Sequence, residues 1–310
     1  LVKSFTSSGG SFTYPLGTGA DYTPAVINVT NASGSAGTVA VRPVSTEHPN
    51  VSASGTSLTY YWKVTKSGFG ATPIATLTFT YADSDVSGTE ANYDSAYFNN
   101  ADATWSFDAA TDVDESTNII GGSGTALAGI SLVSGDYTAG ESGSFGSVTV
   151  YYSKASGDWN TASTWSNVSH AGPDAATPPT LTDFVVIGDG ATNNHDVYVT
   201  DASSASCATL KISTGSSLDV RASVGNTFSN VIEGEGSNGF GTLRLNSATF
   251  PSGDWSLFNA AGAGTVEYYT DASGDITLSS SQTEYNDLSF VNDDGSPHTI
   301  TFPDADLQIN

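Results

Sequence analysis

Three short acidic runs carry the oxygens from which a cation site could be built: Asp83-Ser-Asp85, Asp112-Val-Asp114-Glu115 and Asp293-Asp294. Calcium takes about six to eight oxygen ligands, and Asp-x-Asp with nearby carbonyls supplies part of such a shell. Neither the EF-hand loop nor the glycine-rich nonapeptide of a calcium β-roll is present. Asp83, Asp85, Asp112 and Asp114 are therefore the candidate metal ligands, for calcium; the sequence calls for no other cofactor. The competing reading is acids solvated in loops. Aromatics offer a second chemistry. Trp159, Trp165 and Trp255, with Tyr268 and Tyr269, could stack on sugar rings if they were exposed. The preferred reading makes Trp159 and Trp165 a cap over the first turn of a coil.

Catalytic constellations are poorly supplied. Hydrolysis or lysis of a polysaccharide needs two positioned carboxylates, or a carboxylate with a cationic base. Glu267 and Asp287 could share a face, but Lys154, Lys211, Arg221 and Arg244 are the only cations after residue 150. His48, His170, His195 and His298 show no zinc-site spacing, and His195 beside Asp196 reads as a turn residue. Gly121-Gly-Ser-Gly124 lacks the lysine and helix of a phosphate loop, and no Gly-x-Ser-x-Gly elbow sits between a strand and a helix. The sequence thus points away from an enzyme.

The elements that must hold these residues are strands. Apolar residues alternate with polar ones, and Gly, Pro, Asn, Asp and Ser break the pattern about every ten residues, an all-β signature. Longer strands fill the first half, among them Ala25–Val29, Thr38–Arg42, Leu58–Val64 and Ala75–Tyr81, with Ser147–Tyr152 the last. They predict an antiparallel β-sandwich of immunoglobulin-like type over residues 1–150, with Trp62 and Trp105 in its core. Residues 151–182 read as a Trp-containing cap and a proline-rich connector. From 183 to 310 short triplets recur: Leu243-Arg-Leu245, Val266-Glu-Tyr268, Ile276-Thr-Leu278, Leu288-Ser-Phe290 and Ile300-Thr-Phe302. Their spacing predicts a parallel β-helix or solenoid, with Arg244, Glu267, Ser289 and Gln308 on successive turns.

Composition bounds the partners. Eight Lys and Arg against 32 Asp and Glu give a net charge of −24, which repels nucleic acid and anionic lipid. No long apolar run is present, so nothing reads as inserted in a membrane. The lone Cys207 has no disulfide partner in the chain and reads as a small core residue. Leu1-Val-Lys-Ser-Phe5 is not an initiator methionine with a signal segment, which suggests a mature or excised piece of a longer polypeptide.

Several segments carry a resemblance. Ser156-Gly-Asp-Trp-Asn-Thr-Ala-Ser-Thr-Trp165, Asp183–Ile187 and His195-Asp-Val-Tyr-Val199 resemble a segment of large secreted Bacteroidetes surface proteins. Gly241–Leu245, Phe250–Asp254, Gly264–Tyr268 and Tyr285–Leu288 are similar to their β-helical repeats, and Phe12–Gly17 with Tyr60–Val64 to their companion sandwich module. The resemblance implies an extracellular or cell-surface location, export by the type IX system, and a structural or adhesive role. Its implied partners are other modules of the same polypeptide, cell-surface or glycan ligands, and further copies through self-association. It brings no catalytic residue. Asp94-Ser95-Ala96 resembles the O-glycosylation acceptor of Bacteroidetes, which makes Ser95 a candidate for modification. The alternative function is a carbohydrate-binding module of a polysaccharide-degrading protein.

Overall fold

The structure, a computed structural model, describes all residues except 20, 33, 109–111, 123–124, 126, 201, 222–223, 234–238, 272–273 and 305. Strands take 45% of the chain and helix 4%, so the fold is all-β. Two compact units divide it, Leu1–Ser147 and Val148–Asn310. Among the described residues no helix is long and apolar enough to cross a membrane.

The first unit is an antiparallel β-sandwich. One sheet runs Val2–Phe5, Gly37–Val44, Tyr61–Ser67, Gly135–Glu141, Tyr93–Asn99 and Thr104–Asp108. The other runs Val113–Asp114, Ile119–Gly121, Ile74–Thr80, Ala25–Asn31 and Gly10–Tyr14. Strict alternation decides the faces. Ala25, Ile27 and Val29 point inward from one strand, and Ala75, Leu77 and Phe79 from its neighbour. They meet Val39, Val41, Trp62 and Tyr137 of the facing sheet in one core. Trp62 lies within 5.0 Å of the Tyr60 and Phe79 rings, and its indole N–H donates to the Thr23 carbonyl at 3.1 Å. Trp105, also expected inside, is half-buried and donates to the Asn50 carbonyl at 3.0 Å.

The second unit is a parallel β-solenoid of about five turns. One sheet stacks Val150–Ser153, Phe184–Ile187, Ser206–Ile212, Thr227–Ile232 and Ser252–Asp254. A second stacks Gly157–Asp158, Asp196–Tyr198, Ser217–Asp219, Thr242–Leu245, Thr265–Thr270 and Asp287–Asn292. Equivalent residues lie directly over one another: Val197, Leu218, Leu243, Val266 and Leu288 form one inward ladder. Tyr151, Val185, Leu210 and Val231 form another. Each fully buried aliphatic side chain contributes about 1.5–3 kcal/mol relative to exposure. Cys207 is fully buried among them, as its sequence context suggested.

The coil starts earlier than the triplets suggested. Val150–Ser153 pairs in parallel with Phe184–Ile187, so residues read as the last sandwich strand belong to the first turn. Alternation is the same in either sheet and does not name the partner strand. The spacing argument placed Arg244, Glu267 and Ser289 correctly, in register on three successive strands. Gln308 departs from that series and pairs with Glu284 in a separate two-stranded ladder.

Candidate functional site

The four candidate calcium ligands each meet local donors. Asp83 and Asp85 lie in a single-turn 3-10 helix. The Asp83 carboxylate accepts from the Asn118 amide at 2.6 Å, and burial raises the Asp85 carboxyl above its ordinary range. Asp112 is buried and accepts from both the backbone N–H and the hydroxyl of Ser95. Asp114 is exposed and accepts from the Ser116 hydroxyl and N–H at 2.6 and 3.0 Å, which hold it below the usual carboxylate range. Neighbouring acids thus turn to different partners. Among the described residues, no three His, Cys, Asp or Glu side chains are grouped to hold a metal ion.

Ser95 does not present a free hydroxyl for modification. It is 3% exposed, and its Oγ is committed to Asp112. The signal for modification was a local tripeptide, while the neighbour that buries it lies 17 positions away. Of the glycine-rich turn Gly121–Gly124, positions 123 and 124 lie outside the described residues.

The aromatic stacking surface is not formed either. Trp159, Trp165 and Tyr268 are fully buried and Trp255 is 4% exposed. The three tryptophans instead build a column inside the coil. Trp165 and Trp159 meet edge to face at 5.0 Å, Trp159 lies 5.5 Å from Phe228, Phe228 lies 5.9 Å from Trp255, and Trp255 lies 5.3 Å from Phe258. Such contacts add about 0.5–1.5 kcal/mol each beyond area burial. The Trp165 indole donates to the Trp159 carbonyl at 2.8 Å, which locks the start of the column. What reads in sequence as a cap over one end reaches from the first turn to the fifth.

The densest polar chemistry of the coil lies on the outward face of the second sheet. Tyr198, Asp219, Arg244, Glu267 and Ser289 stand in register on five successive strands. The Arg244 guanidinium lies 4.5 Å from the Tyr269 ring centre, donates to Glu267 at 2.6 Å and to Asp293 at 3.1 Å, and approaches Asp219 at 3.6 Å. Tyr269 donates to Asp219 at 3.0 Å, and Arg221 covers the Tyr198 ring at 4.1 Å. Burial raises the Asp219 carboxyl against the opposing pull of its donors. Burial works to lower the Arg244 guanidinium, but Glu267 and Asp219 outweigh it and the net shift is upward. Arg244 stands between the two carboxylates and engages both, so the arrangement ties turns together. Glu267, weighed as one of a catalytic pair with Asp287, is held in this ladder.

At one corner of the first turns a hydroxyl and two imidazoles meet. Ser153 is buried, accepts the Gly188 N–H at 2.9 Å and contacts His195 Nδ1 at 2.9 Å; His170 Nδ1 lies 2.6 Å from the Ser153 carbonyl. Burial, then the neighbouring His170, lowers the His195 imidazole below its ordinary range. Gly188 has φ +68°, and a Cβ there would lie 1.9 Å from the Ser216 hydroxyl, so the corner needs glycine. His195 is a corner residue, as its neighbour Asp196 suggested. Nothing in the sequence paired it with Ser153, 42 positions away.

No family model matches this chain, and neither the curated proteins nor the solved structures contain a match to it.

Proposed function

We propose that the chain is a structural or adhesive section of a long extracellular bacterial surface protein, with the solenoid as its stiff element. The observation that carries this reading is the continuity of the coil: two parallel backbone ladders of five and six strands, an aromatic column within and a charge ladder outside each join several turns. Tension along such a coil has to break side-chain contacts and hydrogen bonds of several turns before one turn comes free. The net charge of −24 suits an exterior surface that repels nucleic acid and anionic lipid. The resemblance to secreted Bacteroidetes surface proteins supports the extracellular setting and the type IX export route.

Single-molecule pulling of the full chain tests this. The coil is expected to rupture as one cooperative event, distinct from that of the sandwich. Turn-by-turn unravelling at forces near the noise floor would sink the mechanical reading.

A further inference from the structure

We propose that a cleft between the last turns of the coil binds one neutral sugar unit. The sheet that contains Val150–Ser153 ends at Ser252–Asp254, and among the described residues no later strand is laid against that last edge. The chain then turns through Trp255 to Asn259, where the Asn259 N–H donates to the Trp255 carbonyl at 2.9 Å. The next turn brings residues 281–284 past the same place, where Glu284 pairs with Gln308 and not with Ser252–Asp254. The lapse in the ladder leaves a cleft of about 240 Å³, open to solvent at the exposed Ser256 and Ser281.

The walls select the ligand class. They are lined by Ser256, Ser281, Thr283, Asn259, Gln282 and Trp255; the Ser256 hydroxyl donates to Asp254 at 2.7 Å, the Ser281 hydroxyl pairs with Ser279 at 2.8 Å, and the Gln282 amide donates to the Glu284 carbonyl. Among the described residues no cation lines the cleft and Glu284 is the ionisable group there, so the local charge disfavours an anionic ligand. Trp255 forms a fixed wall: its indole N–H already donates to the Pro251 carbonyl at 3.1 Å, and Phe228, Phe250 and Phe258 hold its ring. Clefts that take drug-sized molecules span about 300–1,000 Å³, so this one has room for a single ring.

One atom points to a missing partner. Asn259 is 4% exposed and lines the cleft, yet its side-chain oxygen meets no donor among the described residues. A buried acceptor left in that state is unfavourable, and a hydroxyl entering the cleft would satisfy it. A polyhydroxylated ring supplies that donor while its other hydroxyls reach Ser281 and Thr283. This differs from stacking on an exposed aromatic face, which the buried tryptophans do not offer.

The inference is independent of the mechanical reading, since force rupture and ligand binding are measured separately. Saturation-transfer NMR on the full chain, with methyl glycosides of glucose, galactose, mannose and N-acetylglucosamine, provides the test. At least one is expected to bind with Kd of about 1 mM, and methyl glucuronide is expected to bind at least about tenfold more weakly. Thr283→Trp, which fills the cleft from its solvent side, should cut the signal about tenfold while circular dichroism stays unchanged. If that variant fails to fold, Ser281→Trp makes the same comparison from the same wall. No signal from any neutral glycoside, an equal signal from the glucuronide, or a signal that survives the filled cleft would each overturn the proposal.

Discussion

The sandwich and the coil are built from the same alternating strands but spend their buried polar and aromatic groups differently. In the sandwich each core residue has one set of partners, and a buried imidazole hydrogen-bonded to a carboxylate sits among them. His48 accepts the Asn50 N–H at Nδ1, so its Nε2 carries the proton and donates to Asp136 at 3.2 Å, with Tyr61, Phe98 and Trp105 packed around the imidazole. In the coil a residue's partners are its own equivalents one turn away. Ladders therefore form by repetition, and the ionic one lies outside, half in water. The sandwich gains a unique arrangement from non-local contacts; the coil gains continuity.

The sharpest way to break that comparison is to remove one tryptophan from each unit. Trp159→Ala should cost the coil about 3–5 kcal/mol, and Trp62→Ala should cost the sandwich about the same. Hydrogen-exchange mass spectrometry should show the Trp159 loss spread over several turns up to Thr227–Ile232, where Phe228 packs on it. Loss confined to the first turn would show that the column does not couple them.

Arg244→Ala comes next. It leaves Asp219, Glu267 and Asp293 facing one another without their cation. The guanidinium is 27% exposed, so water screens part of the loss and the expected cost is about 1–2 kcal/mol in chemical denaturation. Raising the salt concentration should recover some of it, because the remaining term is repulsion between acids. A variant as stable as the parent at low salt would show the ladder to be ornamental.

A smaller effect separates the units by pH. Burial lowers the His48 imidazole, against the opposing pull of Asp136 and with some help from Lys63. Its folded pKa lies below the unfolded value of about 6.5, so the unfolded chain takes up the proton first as pH falls. Sandwich stability should therefore be fully present above about pH 6.5 and decline below it, a decline that His48→Gln should flatten. The coil's decline, to which His195 contributes by the same sign, should persist in that variant. The smallest expected effect is that of calcium. Millimolar calcium or a chelator should move neither unit's melting temperature by more than about 1 °C, since each candidate acid already meets local donors. A clear calcium-dependent rise in the sandwich alone would assign a site among Asp83, Asp85, Asp112 and Asp114.

The fold was largely legible because alternation and repetition are properties of the sequence itself. Arg244, Glu267 and Ser289 could be set in register by spacing alone. The start of the coil was not legible, because Tyr151 alternates as well in a sandwich strand as in a solenoid turn. The roles of single residues were read least well. Trp159 reads as an end cap and Trp255 as a stacking candidate, and only the contacts through Phe228 join them in one interior column. Ser95 sat in a tripeptide that suggested exposure, and a single distant carboxylate reverses that reading. The cleft at Asn259 left no signal in the sequence, since it arises where a ladder stops.

The outer ladder also limits how this coil could change length. Removing the turn that carries Arg244 would let the backbone ladders close again, with Leu218 over Val266 on the inside. On the outside it would set Asp219 against Glu267, two like charges on adjacent strands with no guanidinium between them. The turns are alike in shape and unlike in charge, so the turn that carries Arg244 is the one this ladder cannot lose without setting acid against acid.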